Sequence, residues 1–148
     1  MINNLSEEQP LRLNPHLGNR EPVDVLVIDD ELNVRTVLAE CLTQLGYTHR
    51  CAQDGKVAVM LLEQCSFKLV VTDIFMPRMD GIELIMHCRR VEPMAQILTC
   101  SGGGCYCQEN SALESAHLLG SGRTLVKPFS LAQFVAVVRE MIGPGASG

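Results

Sequence analysis

The stretch VVTDIFMPRMDG, residues 70–81, joins an apolar run to a single acid and then to a turn. Residues 69–72 are short, apolar and mostly β-branched, which predicts a strand buried on both faces. Asp73 follows this strand, and Met76-Pro77 and Asp80-Gly81 predict a turn into the next helix. A buried strand that ends in a carboxylate is typical of a parallel sheet with a polar site at its carboxyl edge.

Strand-like and helix-like segments alternate along the rest of the chain. The remaining predicted strands are residues 23–28, 47–51, 97–100 and 124–126. The first predicted helix has Val34, Val37, Leu38, Cys41, Leu42 and Leu45 inward, and the second begins at Asp54-Gly55. The third and fourth are predicted over 81–91 and 111–119. The last follows Ser130 as its N-cap and has Leu131, Phe134, Val135, Val138 and Ile142 inward. Such alternation predicts a flavodoxin-like (βα)5 fold, a doubly wound parallel sheet. The most apolar strands belong at its centre, so we expect the strand order 2-1-3-4-5.

Length and composition predict one globular domain with polar ends. The chain has 148 residues, of which 47% are hydrophobic and 20% charged. We expect a polar N-terminal extension over 1–22, the domain over 23–142 and a flexible tail over 143–148.

The charge balance and the cysteines narrow the class of protein. The formal net charge of -5 argues against direct binding to nucleic acid. Most of the seven cysteines fall within apolar runs, which predicts reduced thiols and a cytoplasmic location. The close group Cys100, Cys105 and Cys107 lacks a standard zinc spacing. We expect no signal peptide, because residues 1–13 lack a basic region followed by an apolar core. No apolar run reaches the ~20 residues of a membrane span.

Polar residues follow most of the predicted strands. Asp29-Asp30 follows the first, Asp73 the third, Ser101 the fourth and Lys127 the fifth. Because parallel strands end at the same edge, three carboxylates, a hydroxyl and an ammonium should converge there. Close carboxylates repel unless a cation joins them, and oxygen ligands favour Mg²⁺. An aspartate kept ionised in this way can attack phosphorus.

Five short pieces of the chain form a pattern. They are VLVIDDE at 25–31, DG at 54–55, VVTDIFMPRMDG at 70–81, TCSG at 99–102 and LVKPF at 125–129. Each piece alone is weak, but together, in this order and spacing, they resemble the receiver domain of response regulators in two-component signalling. The resemblance implies that Asp73 accepts a phosphoryl group from the phosphohistidine of a sensor kinase or phosphotransfer protein.

The resemblance also implies roles for the other site residues. The implied Mg²⁺ ligands are Asp29, Asp30, Asp73 and the backbone carbonyl of Phe75, and the implied catalytic residues are Asp73, Ser101 and Lys127. Lys127-Pro128 matches a cis bond in this family. Thr124 stands where the family often has an aromatic switch residue, and bulky Phe75 is expected to slow loss of the phosphoryl group.

We therefore expect a stand-alone switch, not an enzyme beyond its own phosphorylation and autodephosphorylation. Its target should bind the face formed by the predicted fourth helix, fifth strand and last helix, and the chain should be a monomer or weak dimer. Three alternatives stay open: a Mg²⁺-dependent phosphohydrolase with an aspartyl nucleophile, an adaptor that only keeps the fold, and the receiver piece of a larger regulator or hybrid kinase. Phe75 argues against the hydrolase, because such enzymes place a second aspartate there as acid and base.

Overall fold

The computed structural model describes residues 19–74, 81–101 and 122–146. They contain a parallel sheet of five strands: β1 (Glu21–Ile28), β2 (His49–Ala52), β3 (Cys65–Asp73), β4 (Gln96–Ser101) and β5 (Arg123–Val126). The strand order is β2-β1-β3-β4-β5, as predicted. Residues 25–28 of β1 are almost wholly inaccessible to solvent, as expected for a central strand of such a sheet.

Four helices are described: α1 (Leu32–Gln44), α2 (Gly55–Gln64), α3 (Gly81–Val91) and α4 (Leu131–Ile142). The predicted N-cap of the last helix, Ser130, is confirmed, and α2 begins at Asp54-Gly55 as predicted, with Asp54 as its N-cap. The Asp54 side chain accepts a hydrogen bond from the Val57 amide, and Ser130 and Gln133 cap the start of α4 reciprocally. The helix predicted over 111–119 lies outside the described residues.

The sheet separates two apolar layers. One contains α2 and α3 packed on residues such as Leu26 and Val70, and the other contains α1 and α4 packed on residues such as Val27 and Val71. Adjacent residues of a strand point to opposite faces, so these buried strands supply both layers.

Two residues predicted to face inward are exposed instead. Val37 of α1 is 45% exposed and Leu131 of α4 is 46% exposed, so the prediction for both was wrong. Only Leu38 and Leu42 of α1 are fully buried, so its stripe against the sheet is narrower than the periodicity indicates. Val37 and Leu131 line an open groove between α1 and the start of α4.

Both ends of the domain contact its body at the edge opposite the strand carboxyl ends. β1 starts at Glu21, before the predicted start at Val23. Arg20 precedes it and donates hydrogen bonds to carbonyls at the ends of α2 and α3. After α4, the Ala146 amide donates to the Gly46 carbonyl at 3.1 Å.

Candidate functional site

The carboxyl edge of the sheet brings four charged side chains together. Asp29 and Asp30 directly follow β1, Asp73 is the last residue of β3, and Lys127 directly follows β5. Carboxylate oxygens of the three aspartates all lie within 4.8 Å of one another. The fold thus assembles one acidic pocket from parts of the chain that are far apart in sequence.

Lys127 joins two of these carboxylates. Its Nζ lies 2.8 Å from Asp29 Oδ2 and 3.0 Å from Asp73 Oδ2. Burial alone would lower the pKa of Lys127, but the hydrogen bonds and charges of both aspartates raise it overall. The lysine is therefore fully protonated at neutral pH. The peptide bond between Lys127 and Pro128 is cis, which confirms the prediction.

Asp29 is held at its backbone as well as its side chain. Its Oδ1 accepts the Glu31 amide at 2.9 Å, while its backbone carbonyl accepts Arg35 Nη1 at 2.6 Å. Arg35 lies one turn into α1, and the sequence analysis did not single it out. An arginine one helical turn after an acidic pair is the only signal that was available in the sequence.

Asp73 is presented by a tight backbone contact. The Gly81 amide donates to the Ile74 carbonyl at 3.0 Å, and the Ile74 amide donates to the Cys100 carbonyl at 3.2 Å. A Cβ at position 81 would lie 2.6 Å from the Ile74 carbonyl oxygen and 2.7 Å from that of Asp73. Only glycine therefore fits where α3 begins beside the end of β3.

The remaining predicted site residues are only partly described. Ser101 ends β4 at the same edge, with its backbone in register with Val126, but its side chain lies outside what the structure describes. Phe75, with its predicted carbonyl ligand, lies outside the described residues, as do Cys105 and Cys107. Cys100 pairs with Asp73 in the sheet. Burial raises the pKa of its thiol to about 12 although Lys127 lowers it, so the protonated thiol, not the nucleophilic thiolate, predominates at neutral pH.

The donor set fits a small divalent cation. Asp29, Asp30 and Asp73 offer hard oxygen ligands, the type that Mg²⁺ prefers. Their negative charges repel one another, and the single ammonium of Lys127 offsets only part of that repulsion. Fold and pocket together define a doubly wound α/β domain with an acidic pocket at the carboxyl edge of its sheet, whose three carboxylates could hold a cation.

Comparison with known proteins identifies the family. The family model described as response regulator receiver domain matches residues 25–139, and the chain belongs to this family. A probable chemotaxis protein CheY of Rhizobium etli is 30% identical over 83% of this chain and 95% of its own length. Response regulator MprA of Mycolicibacterium vanbaalenii is 32% identical over 82% of this chain, which spans only 51% of that regulator.

Solved structures show the same fold. The receiver domain of NtrX from Brucella abortus superimposes with a TM-score of 0.72 at 27% identity, covering 80% of this chain and 98% of that domain. Chemotaxis protein CheY4 of Vibrio cholerae superimposes with a TM-score of 0.71 and covers 83% of this chain and 99% of its own. Its 22% identity supports the fold alone.

Membership carries general properties of the family. Receiver domains are phosphorylation-dependent signalling switches, bind Mg²⁺ at an acidic pocket, and interact with histidine kinases or phosphotransfer proteins and with downstream targets. Within the described ranges, every helix is too short or too polar to cross a bilayer.

Proposed function

We propose that this protein is a switch that accepts a phosphoryl group on Asp73 from a phosphohistidine donor. The observation that carries the proposal is the bridge from Lys127 to both Asp29 and Asp73, with the Asp30 carboxylate within 4.8 Å of the other two. A positive charge is thus built in beside the carboxylate that would attack phosphorus. The cytoplasmic location stays a prediction of the sequence.

In the proposed reaction, an Asp73 carboxylate oxygen forms a bond to phosphorus while the bond from phosphorus to the donor's imidazole nitrogen breaks. The nitrogen keeps the electron pair. The ammonium of Lys127, 3.0 Å from Asp73 Oδ2, stabilises negative charge on the phosphoryl oxygens. Asp29, Asp30 and Asp73 would hold Mg²⁺, which supplies further positive charge there; the Phe75 carbonyl and the Ser101 hydroxyl are proposed to assist.

We place the donor on the apolar groove between α1 and the start of α4. This groove, about 570 Å³ in volume, is lined by Lys127 together with apolar residues of both helices, including Val37 and Leu131. Lys127 therefore lies between this groove and the carboxylates of Asp29 and Asp73. A helix that carries the phosphohistidine can cover the mouth of the pocket while its apolar face fills the groove.

The output surface is proposed to include the exposed edge of the sheet at β5. Val126 on this edge strand is 64% exposed. The last helix, α4, is proposed to form a second part of this surface. The predicted helix over 111–119, which would form the third part, lies outside the described residues. Since this chain spans about half of MprA, a larger regulator that contains it would place its output elsewhere.

Intact mass spectrometry tests the proposal. The protein is incubated with Mg²⁺ and a small acyl phosphate, and we expect one phosphate adduct that Asp73→Asn loses. Asp54→Asn is the matched control, because this carboxylate caps α2 through Val57 and should leave the adduct intact. Rapid multiple turnover would mean a phosphohydrolase, and no adduct at all would mean an adaptor; either result refutes the proposal.

Autodephosphorylation gives a second test. The bulk of Phe75 should hinder the attacking water, so Phe75→Asn is expected to lose the phosphate adduct faster. The rate is measured by following the adduct after removal of the phosphodonor. An unchanged rate would contradict this role of Phe75.

A further inference from the structure

We propose that Arg35 is the positioning residue of the metal site and sets the geometry of the Asp29–Asp30 pair. This inference rests on the proposed function, because it concerns how the same pocket binds its cation. Arg35 contributes no ligand atom to the group of three carboxylates. It acts instead on the backbone between two of them.

The contact is short and specific. Arg35 Nη1 donates to the Asp29 backbone carbonyl at 2.6 Å. That carbonyl belongs to the peptide plane that links Asp29 to Asp30, and a peptide plane is rigid. Holding the carbonyl oxygen therefore fixes the direction in which the chain continues into Asp30.

The two acids need this support to different degrees. The Asp29 carboxylate is buried and fixed by Lys127 and by the Glu31 amide. The Asp30 carboxylate is exposed, so its position relative to Asp29 depends on the backbone that carries it. Arg35 is itself anchored, because its amide donates to the Glu31 carbonyl at 3.1 Å within the first turn of α1.

Charge and geometry make opposite predictions for the loss of this guanidinium. A cation near the pocket repels Mg²⁺, so removal of its charge alone would tighten Mg²⁺ binding. Loss of the backbone contact would loosen the acidic pair and weaken binding. Partners that orient metal ligands typically contribute roughly 10- to 100-fold in metal affinity. The sign of the change therefore separates the two effects.

Calorimetric titration of the full chain with Mg²⁺ alone provides the test. We expect Arg35→Met to weaken Mg²⁺ binding roughly 10-fold. Arg35→Lys should fall between it and the unchanged protein, because lysine keeps a donor and the charge on a non-planar head group. Arg50→Met is the matched control: Arg50 also donates to a backbone carbonyl, that of His49 at 3.0 Å, but lies on β2 away from the acidic pocket.

The outcomes separate this inference from the proposed function. If the unchanged protein binds Mg²⁺ and Arg35→Met binds it equally or more tightly, the positioning role is overturned and the switch proposal stands. If the unchanged protein binds no Mg²⁺, both are overturned. Circular dichroism checks that each variant is folded. If Arg35→Met does not fold, Arg35→Lys provides the test instead, and we expect it to bind Mg²⁺ more weakly than the unchanged protein. Unchanged or tighter binding by Arg35→Lys would overturn the positioning role.

Discussion

Replacing Lys127 with methionine isolates the contribution of one ammonium to the acidic pocket. Methionine keeps an unbranched stem of similar length and removes the charge. The substitution leaves Asp29 and Asp73, whose side chains are only 5% and 12% exposed, without their shared cation. We therefore expect the variant to be folded but clearly less stable than the unchanged protein in the absence of Mg²⁺.

The size of the loss follows from the two contacts. Lys127 makes hydrogen bonds of 2.8 Å and 3.0 Å to charged acceptors, and its side chain is 21% exposed. Hydrogen bonds to charged groups contribute about 1.5–3 kcal/mol each, and breaking a buried ion pair costs about 3–5 kcal/mol. We expect a loss of about 4 kcal/mol in the free energy of unfolding. With a urea slope of about 2 kcal/mol per molar, the midpoint falls by roughly 2 M.

Urea denaturation at neutral pH measures this loss. The pKa of Lys127 is raised on folding, so its contribution is complete at neutral pH and is lost only as the pH rises through that raised pKa in strongly alkaline solution. Added Mg²⁺ should stabilise the variant more than the unchanged protein, since it restores positive charge among the carboxylates.

Lys68→Met is the control for the loss of a lysine. Lys68 pairs with Asp24 at 3.3 Å on the surface, where its side chain is 67% exposed, and such a pair contributes at most about 1 kcal/mol. If Lys127→Met lowers the midpoint no more than Lys68→Met does, the bridge between Asp29 and Asp73 does not stabilise the pocket.

Further substitutions test other parts of the structure. Gly81→Ala should lower the free energy of unfolding by about 2 kcal/mol in urea denaturation and slow formation of the phosphate adduct, because its Cβ would lie 2.6 Å from a backbone oxygen. Gly122→Ala is the control and should have neither effect, because its Cβ would have its nearest contact at 3.5 Å. Burial and the charge of Arg90 lower the pKa of His87 below its ordinary value of 6.5. The unfolded chain therefore takes up the proton more readily, and stability should fall as the pH drops below 6.5. In His87→Gln, the denaturation midpoint should depend less on pH between about pH 5 and 7. Arg20→Met should lower the free energy of unfolding by about 3 kcal/mol in the same assay and still form the phosphate adduct, since Arg20 lies at the opposite edge of the sheet. Loss of the adduct in this variant would contradict the view that Arg20 stabilises the fold without affecting the acidic pocket.

The amino-acid sequence by itself determined the layered architecture and the edge at which the site lies. Apolar periodicity is a local property, so the run before Asp73 predicts a buried strand and the spacing after Asp54 predicts a helix. Parallel strands end at a common edge, so acids that follow β1 and β3 must be neighbours. The relative apolarity of the strands sufficed to predict the strand order, because central strands are buried on both faces.

Only the tertiary structure decided which atoms meet. The contact from Lys127 to Asp29 spans 98 positions, and its length depends on how β5 and β1 pack against the same layer of helices. Local patterns likewise did not show that Arg35 reaches a backbone carbonyl, or that Val37 turns from the core toward a groove. Such contacts are set by the spacing and angle between packed elements, which periodicity along one element does not determine.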